Sequence, residues 1–196
     1  MEIIFATGNK HKVIEAAKAL GNSFTLIMPN ELGCNEEIPE TGDTLEANAI
    51  QKCMYLWDKF GKTCFADDTG LEVDALGGAP GVYTARYAGP NKGNDANMNK
   101  LLAELKKGEN EKPISRSARF RTVVALMLDG KLHLFEGILT GTIACDKSGE
   151  EGFGYDPVFI PTNYTKTLAQ ISLDEKNAIS HRGNAMRKLS EFLQKC

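Results

Sequence analysis

Along this chain the spacing of apolar residues switches between a period of two and one near 3.6, and the switches mark its elements. Residues 2–6, EIIFA, form an apolar run of strand length. KHKVIEAAKALG then puts Val13, Ala16, Ala17 and Leu20 on one helical stripe, with Gly21 placed to stop it. The small-residue stretch TGNK joins the two. SFTLIM predicts a second strand that ends at Pro29, and the acidic GCNEEIPETG reads as a loop. A long helix follows, with Asp43 as N-cap, Glu46 three positions on in a capping-box arrangement, and Gly61 after Phe60 as its stop.

KTCFA is the next strand-like run, and two adjacent acids, Asp67 and Asp68, stand where it ends. LGGAPGVYTARYAGPNKG is too rich in Gly and Pro for regular helix or sheet and predicts a structured loop. In NDANMNKLLAELKK, Met98, Leu101, Leu102 and Leu105 recur at helical spacing. Residues 118–128 and 131–144 are strand-like runs around Asp129-Gly130, a strong hairpin signal. GFGYDPVFIP is a glycine-rich loop feeding a short strand, and SHRGNAMRKLSEFLQK is a closing amphipathic helix. Strands and helices alternate first and a long hairpin intervenes later. This predicts an α/β fold with a mixed β-sheet, helices on its faces, and two lobes with a cleft between them.

Composition narrows the class. A length of 196 residues predicts one domain, 1–196, able to bury a core. No apolar run approaches the ~18 residues of a membrane span, and the chain opens at once on a strand-like MEIIFATGNK. The expectation is no membrane, no signal peptide and a cytoplasmic location. A net charge of -3 argues against a nucleic acid polymer as partner, since counterion release needs a basic surface. Cys34, Cys53, Cys64, Cys145 and Cys196 lack metal-type spacing and are odd in number, so they read as reduced packing residues.

Four stretches could carry chemistry. ATGNKHK, residues 6–12, is a turn between strand and helix whose backbone N–H groups, with Lys10 and Lys12, suit phosphate oxygens. It reads equally as an ordinary turn with solvated lysines. The acids Glu36, Glu37 and Glu40, with Asp67 and Asp68, are a second group. Adjacent acids repel, and burying either without a partner is costly, so positive charge should face them. Mg²⁺ needs only a few carboxylates plus water and substrate phosphates. The plain alternative is a solvated run and a turn cap. Lys176, His181 and Arg182, together with Asn48 and Lys52 one turn apart on the earlier helix, are a third group, and GFGYD offers an aromatic that could stack on a base or simply pack.

TGNKHK, ETGDTLEANAIQK, ADDTGLEVDALGGAPGVYTARYAG, GFGYDPVF and EKNAISHRGNA, in this order, closely resemble the inosine triphosphate pyrophosphatases, the house-cleaning nucleoside triphosphate pyrophosphatases. The resemblance extends over essentially the whole chain. It implies that Thr7, Gly8, Asn9, Lys10, His11, Lys12, Lys52 and Thr69 contact the nucleotide, chiefly its phosphates, and that Glu40 and Asp68 are Mg²⁺ ligands. It also implies Asp68 as proton acceptor, and Phe153, Gly154, Tyr155, Asp156, Lys176, His181 and Arg182 as the base and sugar pocket. Thr69 stands where bacterial members usually carry serine, keeping the hydroxyl. A homodimer is implied as well, with the LGGAPGVYTARYAG loop a candidate for contacts near its interface.

The expected reaction is attack of water on the α-phosphorus of ITP, dITP or XTP, releasing the monophosphate and pyrophosphate. Asp68, or a neighbouring carboxylate such as Asp67, takes the proton. Two rivals remain. The Asp-Asp-Thr stretch also resembles a haloacid-dehalogenase-like phosphatase, which would release orthophosphate. A non-enzymatic nucleotide-binding module would show Mg²⁺-dependent affinity without turnover.

Overall fold

The computed structural model describes residues 1–21, 23–111 and 114–196, apart from the side chains of His11, Asn110 and Glu111. In chain order the elements are β1 (Glu2–Phe5), α1 (Lys10–Leu20), β2 (Thr25–Ile27), α2 (Leu45–Phe60), β3 (Cys64–Val73), α3 (Asn94–Glu111), β4 (Ser117–Leu128), β5 (Lys131–Ile143), β6 (Phe159–Pro161), α4 (Leu173–Ile179) and α5 (His181–Leu193). The strands form a six-stranded sheet in the order β2-β1-β3-β4-β5-β6. β1 runs parallel to both β2 and β3, with α1 and α2 as the crossovers that parallel neighbours require, whereas β6 is antiparallel to β5. The sheet is mixed, as the periodicity predicts, and Asp129 and Gly130 turn the long hairpin with φ of 49° and 73°.

The chain divides into two compact units. The first comprises Met1–Asp68, Thr122–Gly137 and His181–Cys196. Its core is built from Ile3 and Phe5 of β1, Phe65 of β3, Val124 and Leu126 of β4, Ala16 and Leu20 of α1, and Ala185, Met186 and Leu189 of α5. Burying a side chain of leucine or phenylalanine size contributes about 1.5–3 kcal/mol. Phe5 and Phe65 stack with ring centroids 4.3 Å apart. The Sγ atoms of Cys53 on α2 and Cys64 on β3 lie 4.0 Å apart as buried thiols. The second unit comprises Thr69–Arg121 and Ile138–Ser180. Leu71 and Val73, Met98, Leu101 and Leu105 of α3, Phe120, Ile143, Tyr155 and Phe159 make its core.

Several expectations change. α2 is capped by Thr44, whose side chain accepts from Ala47 N at 3.0 Å, and not by Asp43. The capping register moves one residue because the preceding loop is held down: Gly42 N donates to Asn48 Oδ1 at 2.7 Å and Thr41 N to Gln51 Oε1 at 2.9 Å. A Cβ on Gly42 would stand 2.6 Å from that of Ala47, so only glycine lets this loop lie so close to the helix. Strand β3 does not end at Asp67 and Asp68 but continues to Val73, because burial of Asp67 is offset by cations described below. Ala17 faces solvent despite its place on the expected stripe, and Cys145 and Cys196 are exposed rather than packed. The Gly/Pro-rich stretch contains short 3₁₀ turns at Asp74–Leu76 and Gly81–Arg86, and α4 is a short helix that periodicity did not mark. Among the described residues, no helix is long and apolar enough to cross a membrane.

Candidate active site

In the first unit, β1 leads into a tight turn. Ala6 N donates to Phe65 O at 2.8 Å, Thr7 N to Phe5 O at 2.7 Å, and Thr7 Oγ1 accepts from Asn9 N at 3.1 Å. α1 begins at Lys10 with no acid in its first turn, so the positive end of its dipole favours an external anion. Gly8, Asn9 and Lys10 are exposed, and Thr7 and Lys12 half-buried. A Cβ on Gly8 would meet no described atom within 4 Å, and Gly8 lies outside the left-handed region. Folding therefore does not demand glycine there. The expected phosphate role of the His11 side chain falls outside the described residues.

Asp67 is fully buried, and the positive charge it needs comes from the protein. Lys12 Nζ donates to Oδ1 at 2.9 Å, Arg182 Nε donates to Oδ2 at 3.3 Å, and Lys52 Nζ donates to the Asp67 carbonyl at 2.7 Å. The expectation that a divalent ion answers both adjacent acids is corrected for this one. Burial alone would raise the Asp67 carboxyl, but the Lys12, Arg182 and Lys52 charges outweigh it and hold the acid well below the usual carboxylate range. Asp68 is pushed the other way: burial raises its carboxyl, Lys52 and a hydrogen bond from Asn48 oppose that, and Glu40 and Asp67 add to it.

Asn48 and Lys52, one turn apart on α2, both reach the acids. Asn48 Nδ2 donates to Asp68 Oδ2 at 3.0 Å. Lys52 Nζ donates to Glu40 Oε1 at 2.5 Å and stands 3.6 Å from Asp68 Oδ1. Burial would lower the Lys52 ammonium, yet Asp68, Asp67 and Glu40 raise it above its usual value. Glu40 and Asp68, distant in sequence, thus converge on one cation. Glu36 is employed elsewhere, accepting from Tyr55 Oη at 2.7 Å and paired with Lys59, and Glu37 is exposed.

These residues fit a divalent metal that travels with a polyphosphate. Glu40 and Asp68 offer hard oxygen donors, both drawn to the Lys52 ammonium. Among the described residues no cluster of three or more His, Cys, Asp or Glu could cage a metal alone. Mg²⁺ is commonly held by one or two carboxylates, with water and substrate phosphates completing its shell.

The second unit gathers a different set. Asp156, buried, accepts through Oδ2 from Phe153 N at 2.8 Å and from Lys176 Nζ. The same ammonium lies 4.4 Å from the centroid of the Phe153 ring, which is 61% exposed. Tyr155 is core: its hydroxyl donates to Thr84 O at 3.0 Å, and burial pushes that hydroxyl above its usual range. Of the two aromatics in GFGYD, Phe153 is the one presented. Gly154 has φ of 65°. Gly152 has φ of 84°, and a Cβ added there would lie only 2.2 Å from Asp156 Oδ2, so the loop closes only with glycine at 152. Thr69 is half-buried in β3.

His181 and Arg182 open α5 in the first unit. Arg182 Nη1 donates to Glu15 Oε2 at 2.9 Å, in addition to its bond to Asp67. Glu15 carried no signal in the sequence beyond its place three residues after Lys12, which puts both on one face of α1.

The sequence profile of the Ham1 family matches residues 3–192. A dITP/XTP pyrophosphatase from Flavobacterium johnsoniae is 50% identical over 193 residues, covering 98% of each chain. The solved structure of a HAM1 protein from Coxiella burnetii superposes with a TM-score of 0.94 at 36% identity, over 100% of both chains. That of the Staphylococcus aureus Ham1 protein gives 0.91 at 41% identity, over 100% of this chain and 99% of the other. With element order, fold and full-length identity in agreement, the chain belongs to the Ham1 family.

Proposed function

We propose that this protein hydrolyses non-standard purine nucleoside triphosphates, ITP, dITP and XTP, to the monophosphate and pyrophosphate. Its curated relatives carry the matching name, dITP/XTP pyrophosphatase. The structural observation that carries the reading is the convergence of Glu40 and Asp68 on Lys52. Acids and a lysine so arranged suit a polyanion bearing about four negative charges with its metal.

The turn 7–12 and the start of α1 bind phosphate oxygens, and Lys12 and Lys52 neutralise them. Glu40 and Asp68 hold Mg²⁺, which when bound supplies polarisation of the phosphoryl oxygens and charge for the leaving pyrophosphate. Water oxygen attacks the α-phosphorus, the bond from that phosphorus to the bridging oxygen breaks, and the water proton passes to a carboxylate. Asp68 suits that last role better than Asp67. Both carboxylate oxygens of Asp67 are already engaged, one by Lys12 and one by Arg182, whereas Asp68 is only half-buried.

By the family resemblance, Phe153, held by Asp156 and Lys176 in the second unit, serves the base, with Gly154 and the Tyr155 backbone shaping its loop, and His181 and Arg182 of the first unit are assigned as donors to the nucleotide. Hypoxanthine and xanthine present an O6 acceptor where adenine presents an amino donor. A buried donor facing a donor costs about 1–3 kcal/mol, tenfold or more in discrimination. The active species is a homodimer, which light scattering would measure.

The deciding experiment is turnover of a panel of triphosphates with Mg²⁺, quantifying both phosphate products. Pyrophosphate from ITP and XTP is expected. Orthophosphate would favour the phosphatase alternative, and Mg²⁺-dependent binding without turnover the binding module.

A further inference from the structure

Asn48, in the first turn of α2, is 1% exposed, and both ends of its amide are engaged by different segments of the first unit. Oδ1 accepts from Gly42 N at 2.7 Å, in the loop that carries Glu40, and Nδ2 donates to Asp68 Oδ2 at 3.0 Å, on β3. The two ends are not interchangeable. A backbone N–H can meet only the oxygen and a carboxylate only the NH₂ group, so turning the amide over would set donor against donor and acceptor against acceptor. One planar group therefore fixes Asp68 relative to Gly42, two residues past Glu40. One turn further along α2, Lys52 meets the acids themselves, at 2.5 Å from Glu40 Oε1 and 3.6 Å from Asp68 Oδ1. Asn48 thus takes one oxygen of Asp68 and leaves the other facing Lys52, which Glu40 also faces. Pinning the loop to α2 would account for the Gly42 bond. It does not account for the Asp68 bond, because β3 is already held between β1 and β4 in the sheet.

We propose that Asn48 is a positioning residue for the metal, holding the Glu40 loop and the Asp68 carboxylate at the spacing that Mg²⁺ on a polyphosphate requires. This rests on the functional reading above, in which Glu40 and Asp68 hold Mg²⁺. Asn48 acts through those two acids and is not itself a ligand. Mg²⁺ demands near-octahedral oxygen geometry, so two carboxylates from separate segments serve it only at a set distance and orientation. The residue type fits the task. Leucine would suit a buried helical position better, since asparagine is a poorer helix former and a buried amide is costly unless paired. An acid at this position would add to the negative charge of Glu40, Asp67 and Asp68, and a base would compete with the metal. The amide supplies one donor and one acceptor with no change of charge.

The test reads binding without turnover. Calorimetry measures the affinity of the full chain for inosine 5′-(α,β-methylene)triphosphate, in which carbon replaces the bridging oxygen of the bond to be broken, with and without Mg²⁺. The quantity compared is the factor by which Mg²⁺ tightens binding. Asn48→Leu should lose about tenfold or more of that factor, the usual cost of removing a group that orients metal ligands. Its affinity without Mg²⁺ should stay within about threefold of wild type, because the coupling between metal and nucleotide is what is lost. Thr44→Ala, which removes the N-cap of the same helix, should lower Tm yet keep the Mg²⁺ factor within about twofold. If Asn48→Leu does not fold, Asn48→Gln replaces it, since one added methylene moves the amide away from its two partners, and the same loss is expected. A folded Asn48 variant with an unchanged Mg²⁺ factor, an equal loss of affinity with and without the metal, or a matching loss in Thr44→Ala would overturn the proposal alone. Absence of pyrophosphate when wild type is given ITP and Mg²⁺ would overturn the functional reading and the proposal with it.

Discussion

Asp67 and Asp68 are consecutive residues of β3 whose carboxyls are driven in opposite directions, Asp67 below the usual range by Lys12 and Arg182 against its burial, Asp68 above it by burial against Lys52 and Asn48. Strand alternation is the cause. Neighbouring side chains point to opposite faces, so each acid meets a different set of partners. One is a fixed counter-ion, and the other is the acid to which the proposed function assigns metal and proton.

Asp68→Asn should abolish turnover while stabilising the fold. The raised carboxyl means that the native structure holds its ionised form less well than the unfolded chain does, a cost that asparagine removes. We expect kcat to fall at least about 10²-fold and Tm at pH 7 to rise by about 2 °C. A lower Tm would contradict the assignment of its environment.

Asp67→Asn should destabilise by about 3 kcal/mol at pH 7, since Lys12 and Arg182 then face each other across a neutral group. The effect has a definite pH dependence. A carboxyl depressed in the native state contributes its full stability above the unfolded value of 3.8 and loses it as pH falls further, toward the native value. Denaturant unfolding of wild type and variant at pH 7 and pH 3 should therefore show the difference shrinking at the lower pH. A constant difference would mean the ion pairs are not its source.

Gly8→Ala should fold normally and bind poorly. With open space around its Cβ position and an unstrained φ, Tm should stay within about 2 °C of wild type. KM for ITP should rise about tenfold, because the methyl group keeps phosphate oxygens from the backbone N–H groups of the turn. Unaltered KM would remove that turn from the phosphate site.

Gly152→Ala should do the reverse, losing stability and base recognition together. Its φ of 84° and the 2.2 Å approach of a new Cβ to Asp156 Oδ2 force the loop away from Asp156, which organises both Phe153 and Lys176. We expect a loss of about 2 kcal/mol or more, seen in thermal unfolding, with preference for ITP over ATP reduced in kcat/KM.

Guanine shares O6 and N1–H with hypoxanthine and differs in its 2-amino group, while xanthine carries an oxygen there. Size alone cannot separate guanine from xanthine. The pocket is expected to leave a 2-amino donor unpaired, so kcat/KM should be higher for XTP than for GTP, by about tenfold. Equal values would remove this account.

Much of this architecture was legible in the residues themselves. The periods of Ile3 to Phe5 and of Val13 to Leu20, the Asp129-Gly130 turn, and Gly61, whose φ of 58° ends α2, are local signals, because backbone sterics and the burial of one face act within a few residues. The motifs that carry the family resemblance are also contiguous, so Lys12, Glu40, Lys52 and Asp68 could be named from sequence alone. Thr44 rather than Asp43 as cap could not, since Asn48 and Gln51 reach back to decide the register. Nor could the continuation of β3 through two acids. Whether Asp67 is tolerable in a buried strand depends on Arg182, 115 positions away, and on Lys12, 55 positions away. The opposite shifts of the Asp67 and Asp68 carboxyls likewise depend on burial and on charges that only folding brings within a few ångströms. Coulomb interactions and desolvation depend on distance in space and on exclusion of water, and neither is a property of order along the chain.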